Sequence, residues 1–375
     1  MKMSPQIIGF VIGLITAIFM MLILNISGFS FLKRTETYSK RRDVLTSAIR
    51  RRLSQGPNIV AVGGGTGLSA LLRGIKSFTR NITAVVAVTD EGGSSGRLRS
   101  EWGVLPPGDV RNCIVALAEN DNSLHRILDF RFDRGELSGH SLGNLMLVAV
   151  TELCGDFRLA VEEMNNLLAI RGRVLPVTTD QVVLAGETKD KKIVHGELEI
   201  SRNGGNLNEI WLEPEDARPV KGILEAIDES DLIVLGPGSL FTSVIPNLLI
   251  QEFADKIVNS KTPKVYICNL MTQPNETEGM DIVKHVEWIS GALGGVPDYV
   301  ILNNTPIPAN LVKKYEKDRA FPLMLDHRQA DKIRRMGCEI VEGDFVEVTK
   351  DNVVRHNSQK LAEVLHRQCR MNFKD

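Results

Sequence analysis

The run Asn58-Ile59-Val60-Ala61-Val62 passes without interruption into Gly63-Gly64-Gly65-Thr66-Gly67, and a helical pattern of Leu68, Leu71, Leu72 and Ile75 follows. A strand that ends in glycines turns sharply and leaves its backbone amides uncovered, because no Cβ stands in front of them. Amides that open a helix attract an anion, and the helix dipole strengthens the pull. The segment is not the GxGxxG fingerprint, since position 68 is Leu, nor a P-loop, since no Gly-Lys-Ser/Thr follows. It points to a phosphate-bearing ligand without naming it, and a tight strand-helix turn without a ligand has the same pattern.

Further Val- and Ile-rich runs follow at Ile82–Val88, Leu232–Leu235, Lys264–Cys268 and Tyr299–Leu302, separated by helical patterns. Like Ile59–Val62, they are apolar throughout and do not alternate, as expected of strands buried on both faces of a parallel sheet. The predicted fold class is therefore α/β: a Rossmann-like three-layer fold with a mainly parallel sheet. The stretch from about 174 to 211 alternates instead, as in Ile193-Val194-His195-Gly196-Glu197-Leu198-Glu199-Ile200, and reads as a small β insertion.

Other loops carry the same kind of chemistry. Thr89 to Arg99 gathers Asp90 and Glu91, Gly92, Gly93 and Gly96, Ser94 and Ser95, and the guanidiniums of Arg97 and Arg99. Carboxylates at a strand's C-terminal end can hold Mg²⁺ or a ribose hydroxyl, so Asp90 is the candidate metal ligand, and arginines can clamp phosphate oxygens. In Leu105-Pro106-Pro107-Gly108-Asp109-Val110-Arg111-Asn112, Asp109 reads as the cap of a helix Val110–Ala118, with Arg111 and Asn112 as candidate cleft residues. Ser138 to Asn144 offers His140, a base or a phosphate donor if it is not satisfied locally, and Asn144. Gly236, Gly238 and Ser239 form a third glycine turn, while Asn269 and Thr272 supply amide and hydroxyl groups for a base or sugar edge.

Charge is divided unevenly. Residues 1–56 carry nine Lys or Arg against Glu36 and Asp43, while the formal charge of the whole chain is −1. The remainder is therefore acidic and repels a phosphate backbone, and aromatic residues are only 5%, so a nucleic-acid partner is not expected. The five cysteines form no CxxC pair, and the seven histidines form no HExxH, which argues against zinc. Residues 7–24 contain no charge and at 1.5 Å per residue span roughly 27 Å, enough for a bilayer core. The basic cluster from Lys33 to Arg52 then places the body on the cytoplasmic side. The expected organisation is a single-pass membrane anchor (1–32), a basic juxtamembrane linker (33–56) and a cytoplasmic Rossmann-like ligand-binding domain (57–375).

Seven motifs occur in order: Gly63 to Gly67, Asp90 to Arg99, Leu105 to Asn112, Gly139 to Leu145, Gly236 to Leu249, Cys268 to Thr277, and Val354-Arg355-His356. Together they resemble the gluconeogenesis factor (YvcK) family, within the 2-phospho-L-lactate transferase (CofD)-like superfamily, over residues 57–368. The resemblance implies a Rossmann-like fold and binding of a UDP-sugar, chiefly UDP-N-acetylglucosamine. It also implies a regulatory role in cell shape and peptidoglycan precursor supply under gluconeogenic growth, a homo-oligomer, and a wall-synthesis partner. The alternative it implies is a Mg-dependent transferase of the 2-phospho-L-lactate transferase type, so an enzyme activity stays open here. By position, Arg355 corresponds to a residue tied to the nucleotide-sugar phosphates. Ser358 falls where a hydroxyl phosphorylated by a kinase lies, although it also reads as a cap for a helix 360–368. This chain has Asp90-Glu91 where the family often has two aspartates.

Overall fold

The five apolar runs become neighbouring strands of one sheet. The computed structural model describes residues 48, 51–119 and 124–371. Its strands, in chain order, are β1 (Ile59–Gly63), β2 (Ile82–Val86), β3 (Arg173–Pro176), β4 (Val183–Thr188), β5 (Ile193–His195), β6 (Leu207–Glu213), β7 (Leu232–Leu235), β8 (Lys264–Ile267), β9 (Tyr299–Asn303), β10 (Glu339–Gly343), β11 (Val346–Val348) and β12 (Val354–His356). Seven of them pair in parallel in the order β10-β9-β8-β7-β1-β2-β3. Every residue of β1, β2 and β7 is buried, so both faces of the central strands are covered, as their unbroken apolar runs require. This is the Rossmann-like α/β fold.

The strand order reverses between β1 and β7. From β1 the chain moves outward to β2 and β3, then returns to lay β7 against the other side of β1. In an open parallel sheet such a switch point leaves a crevice at the carboxyl ends of the two strands, because the loops leaving them turn in opposite directions. The loop after β1 is Gly63 to Gly67, and the loop after β7 begins at Gly236.

Two expectations about the insertion change. Val174 belongs to β3, the edge of the main sheet, so the insertion begins later; β5, β4 and β6 form its separate antiparallel sheet. The alternating stretch Ile193–Ile200 is a strand only as far as His195. Gly196 then takes φ +89°, a left-handed turn open to glycine, and Glu197–Asn203 is a helix. A period of two over eight residues cannot reveal such a break when glycine supplies it.

The chain divides after Gln55. Of the first unit only residue 48 and 51–55 are described, and 51–54 are helical. The expected anchor, residues 7–24, lies outside the described residues, as does most of the basic linker. Among the described residues no helix is long and apolar enough to cross a membrane.

In the second unit, helix Gly65–Ile75 buries Leu68, Leu71, Leu72 and Ile75. Its Gly74 meets the start of helix Ser358–Met371: a Cβ there would stand 2.2 Å from the Ser358 carbonyl oxygen. That helix is capped by Asn357, whose Oδ1 accepts the Lys360 amide at 3.0 Å, so Ser358 is the first helical residue and not the cap.

Candidate ligand site

A cavity of about 650 Å³ lies at the switch point. Of the sequence candidates, Gly64, Gly65, Thr66, Gly67, Asp90, Gly238, Ser239, Asn269, Thr272 and Arg355 line it. The two glycine turns touch: a Cβ on Gly67 would sit 2.5 Å from the Pro237 carbonyl oxygen. Gly64 precedes helix Gly65–Ile75 in a fully extended conformation, with no side chain capping the helix and no acidic residue in its first turn. The Gly65 amide is met by the Asp109 carboxylate, and Gly64 to Gly67 line the cavity. Arg355, exposed on β12 and paired through its backbone with Glu347, lines the same cavity, and its guanidinium makes no hydrogen bond or ion pair among the described residues. Ser239 and Thr272 are already held, Ser239 Oγ by Gln273 Nε2 at 2.7 Å and Thr272 Oγ1 by the Phe321 amide at 2.9 Å.

The remaining candidates lie beside the cavity instead of lining it. Gly63 ends β1 and Gly236 turns the chain after β7. Gly92 donates its amide to Asp90 Oδ1 at 2.9 Å, and Gly93 opens the helix Gly93–Trp102. Ser94 Oγ pairs with His140 Nδ1 at 2.9 Å and accepts Asn144 Nδ2 at 3.0 Å, all three buried. His140 is thus satisfied by its neighbours, and burial followed by the charge of Arg97 keeps it neutral by lowering its pKa. Ser95 Oγ accepts the Gly108 amide. Arg97 reaches out to the Ser138 carbonyl, and Arg111 is buried against Asp129. Asn112 follows in helix Gly108–Leu117.

Sequence reasoning placed Asp109 as a cap. Helix Gly108–Leu117 instead starts two residues earlier, after Pro107, without a side-chain cap. Asp109 is freed to face the glycine loop, where its Oδ2 would stand 2.5 Å from a Cβ on Gly64. Burial first, then the charge of Asp90, pushes its pKa up to about 7, while the Gly65 amide pulls it down. Two more carboxyls behave alike. Glu197, from the insertion helix, lines the cavity and accepts the Glu91 amide at 3.0 Å; burial raises it to about 7. Glu276 is buried behind the wall, accepts the Phe241 amide at 2.9 Å, and is raised by burial to about 7. Glu197 was hidden in a segment that reads as strand, whereas Glu276 sat in the Cys268 to Thr277 motif with no signal of its own.

The oxygen donors Asp90, Asp109 and Glu197 suit Mg²⁺ in kind. Among the described residues, however, no group of three or more His, Cys, Asp or Glu is placed to hold a metal ion. A cation here would be held by one or two of these carboxylates and complete its shell with ligand oxygens and water.

Residues 59–346 match the family described as 2-phospho-L-lactate transferase CofD. The chain is 42% identical over 315 residues to the gluconeogenesis factor of Bacillus subtilis, covering 84% of this chain and 98% of that one. It is 44% identical over 310 residues to the gluconeogenesis factor of Halalkalibacterium halodurans, covering 82% and 95%. The crystal structure of a protein from Bacillus halodurans matches with a TM-score of 0.79 at 44% identity, over 83% of this chain and 99% of that one. The chain therefore belongs to the CofD family and, within it, to the gluconeogenesis factors.

Proposed function

We propose that this gluconeogenesis factor is a regulator that binds a nucleotide sugar, UDP-N-acetylglucosamine above all, in the switch-point cavity. The observation that carries this reading is the glycine-opened helix start at Gly64 to Gly67, held against Pro237 and Gly238, with Arg355 lining the same space. Amides at a helix start and a guanidinium are complementary to a diphosphate, the part that all UDP-sugars share. Asn269, on the same cavity, is suited to a base or sugar edge. The regulator acts on cell shape and peptidoglycan precursor supply, and residues 7–24 anchor it at the membrane beside the wall-synthesis proteins it addresses.

A transferase is the second reading. It is favoured by Asp109 and Glu197, whose pKa values near 7 suit a proton acceptor at neutral pH. In that reading Asp90 would hold a Mg²⁺ ion that, when bound, would supply charge stabilisation at the transferred group, with Asp109 left as the proton acceptor. Calorimetry with a panel of nucleotide sugars, with and without Mg²⁺, followed by product analysis separates the two. Stoichiometric binding without turnover supports the regulator, and released nucleotide supports the transferase. Arg355→Ala is expected to weaken UDP-sugar binding by about 1.5–3 kcal/mol, roughly ten- to 150-fold in Kd, the scale of losing one hydrogen bond to a charged group. An unchanged Kd removes Arg355 from the site.

A further inference from the structure

A second space, of about 760 Å³, opens between β6 and the helix Ile282–Leu293, and none of the seven sequence motifs explains it. Six consecutive residues of β6, Leu207 to Leu212, line it. A strand that showed this space a face would contribute every second residue; one that contributes all of them is showing its edge. β6 is the outer strand of the insertion sheet, paired on one side only, with β4. Among the described residues, no backbone hydrogen bond outside the β4 ladder uses the main chain of 208–213. The unpaired N–H and C=O groups of that edge form a template for a further strand.

The opposite wall is the helix Ile282–Leu293. The helix turns Lys284, Glu287, Trp288, Gly291 and Ala292 to the groove, a spacing that places them on one helical face. Gly291 lies inside the helix, where glycine costs about 1 kcal/mol relative to alanine. A Cβ there would meet nothing within 4 Å, so no contact within this chain calls for the glycine.

The charged residues around the groove select the occupant. Glu209, Glu215, Glu278 and Glu287 line the groove beside Lys189 and Lys284; Lys284 is bound to Glu287 at 2.5 Å and Glu278 to Arg319 at 3.5 Å, which leaves Glu209 and Glu215 facing Lys189. A second copy pairing β6 with β6 about a twofold axis through Trp211 would set Glu209 of each copy opposite Glu213 of the other, which is unfavourable. We propose that this groove binds an extended, lysine- or arginine-bearing segment of a partner protein as an added strand on β6.

The test uses the full-length chain and a labelled peptide of about ten residues alternating Lys and Val, read by fluorescence anisotropy. Two control peptides are a Glu-Val version and a Lys-Val version N-methylated on every backbone amide. The Lys-Val peptide is expected to bind, and its affinity to fall with salt. About tenfold or more should be lost on N-methylation and on Gly291→Leu, which fills the groove from an open position, but not on Gly291→Ala. Equal binding of the N-methylated peptide overturns strand addition, and tighter binding of the Glu-Val peptide overturns the charge assignment. A wild-type dimer that Gly291→Leu dissociates makes a second copy the occupant and overturns the proposal. So does failure of the Lys-Val peptide to bind at about 1 mM.

Discussion

Gly67→Ala is expected to cost about 2–3 kcal/mol of stability and to abolish nucleotide-sugar binding, although alanine is ordinarily the better helix residue. The reason is local. The new Cβ would lie 2.5 Å from the oxygen and 2.8 Å from the carbon of the Pro237 carbonyl, and both are backbone atoms. No rotamer change relieves that contact, so the two glycine turns must separate at the point where their amides converge. Gly63→Ala, four residues earlier in the same motif, is the control. Its Cβ would meet Leu68 and Gly236 at 3.6–3.8 Å, ordinary packing distances, so the loss should stay under about 1 kcal/mol. Urea unfolding of both variants, together with calorimetry using UDP-N-acetylglucosamine, measures the contrast. If Gly67→Ala were as mild as Gly63→Ala, the two turns would not form one rigid cradle, and the proposed diphosphate grip would lose its basis.

The same pair of glycines shows what was legible in advance. A glycine cluster after an apolar strand announces a close approach, but not which glycine is approached. That depends on a strand 170 residues further along the chain, placed beside β1 only by the reversal of strand order. The five apolar runs exposed the sheet because strands buried on both faces leave an unbroken record in sequence. β3 and β10 left none: Arg173 in β3 and Glu339 in β10 are exposed, as positions on edge strands can be. Within the site, the glycine loops were readable because their chemistry is local to a strand end, whereas Arg355 was reached through the family resemblance alone. His140 and Arg111 were over-read, since their partners Ser94 and Asp129 come from outside their own motifs. Glu197 was missed because its importance comes from burial, a property of the assembled cleft that a charged letter in an alternating stretch does not disclose.

Asp109→Asn is expected to make the ligand-free protein more stable at pH 8 and to flatten part of its pH dependence. The sign follows from the folded-state pKa of about 7, against an ordinary value of 3.8. Below about pH 4 the carboxyl is protonated in both states and contributes nothing. Between about pH 4 and 7 the folded protein keeps a proton that the unfolded chain has released, so stability falls as pH rises, by up to about 1.4 kcal/mol per pH unit. Above about pH 7 the full cost of a buried carboxylate beside Asp90 persists. Asparagine cannot ionise, and its Oδ1 still accepts the Gly65 amide. The variant should therefore exceed the wild type by about 2–4 kcal/mol at pH 8 and by about 1 kcal/mol at pH 5, in urea unfolding at each pH. Glu197 and Glu276, raised for the same reason, keep a residual slope in the variant. Ligand binding then distinguishes the roles of Asp109. If the carboxylate only repels a diphosphate, Asp109→Asn tightens nucleotide-sugar binding at pH 8 and leaves it independent of Mg²⁺. If it holds a cation under the phosphates, the same substitution removes a Mg²⁺-dependent gain in affinity that the wild type shows. A variant no more stable than the wild type at pH 8 would mean that Asp109 is already ionised and compensated in the folded protein, and the strained carboxyl would drop out of both readings of the site.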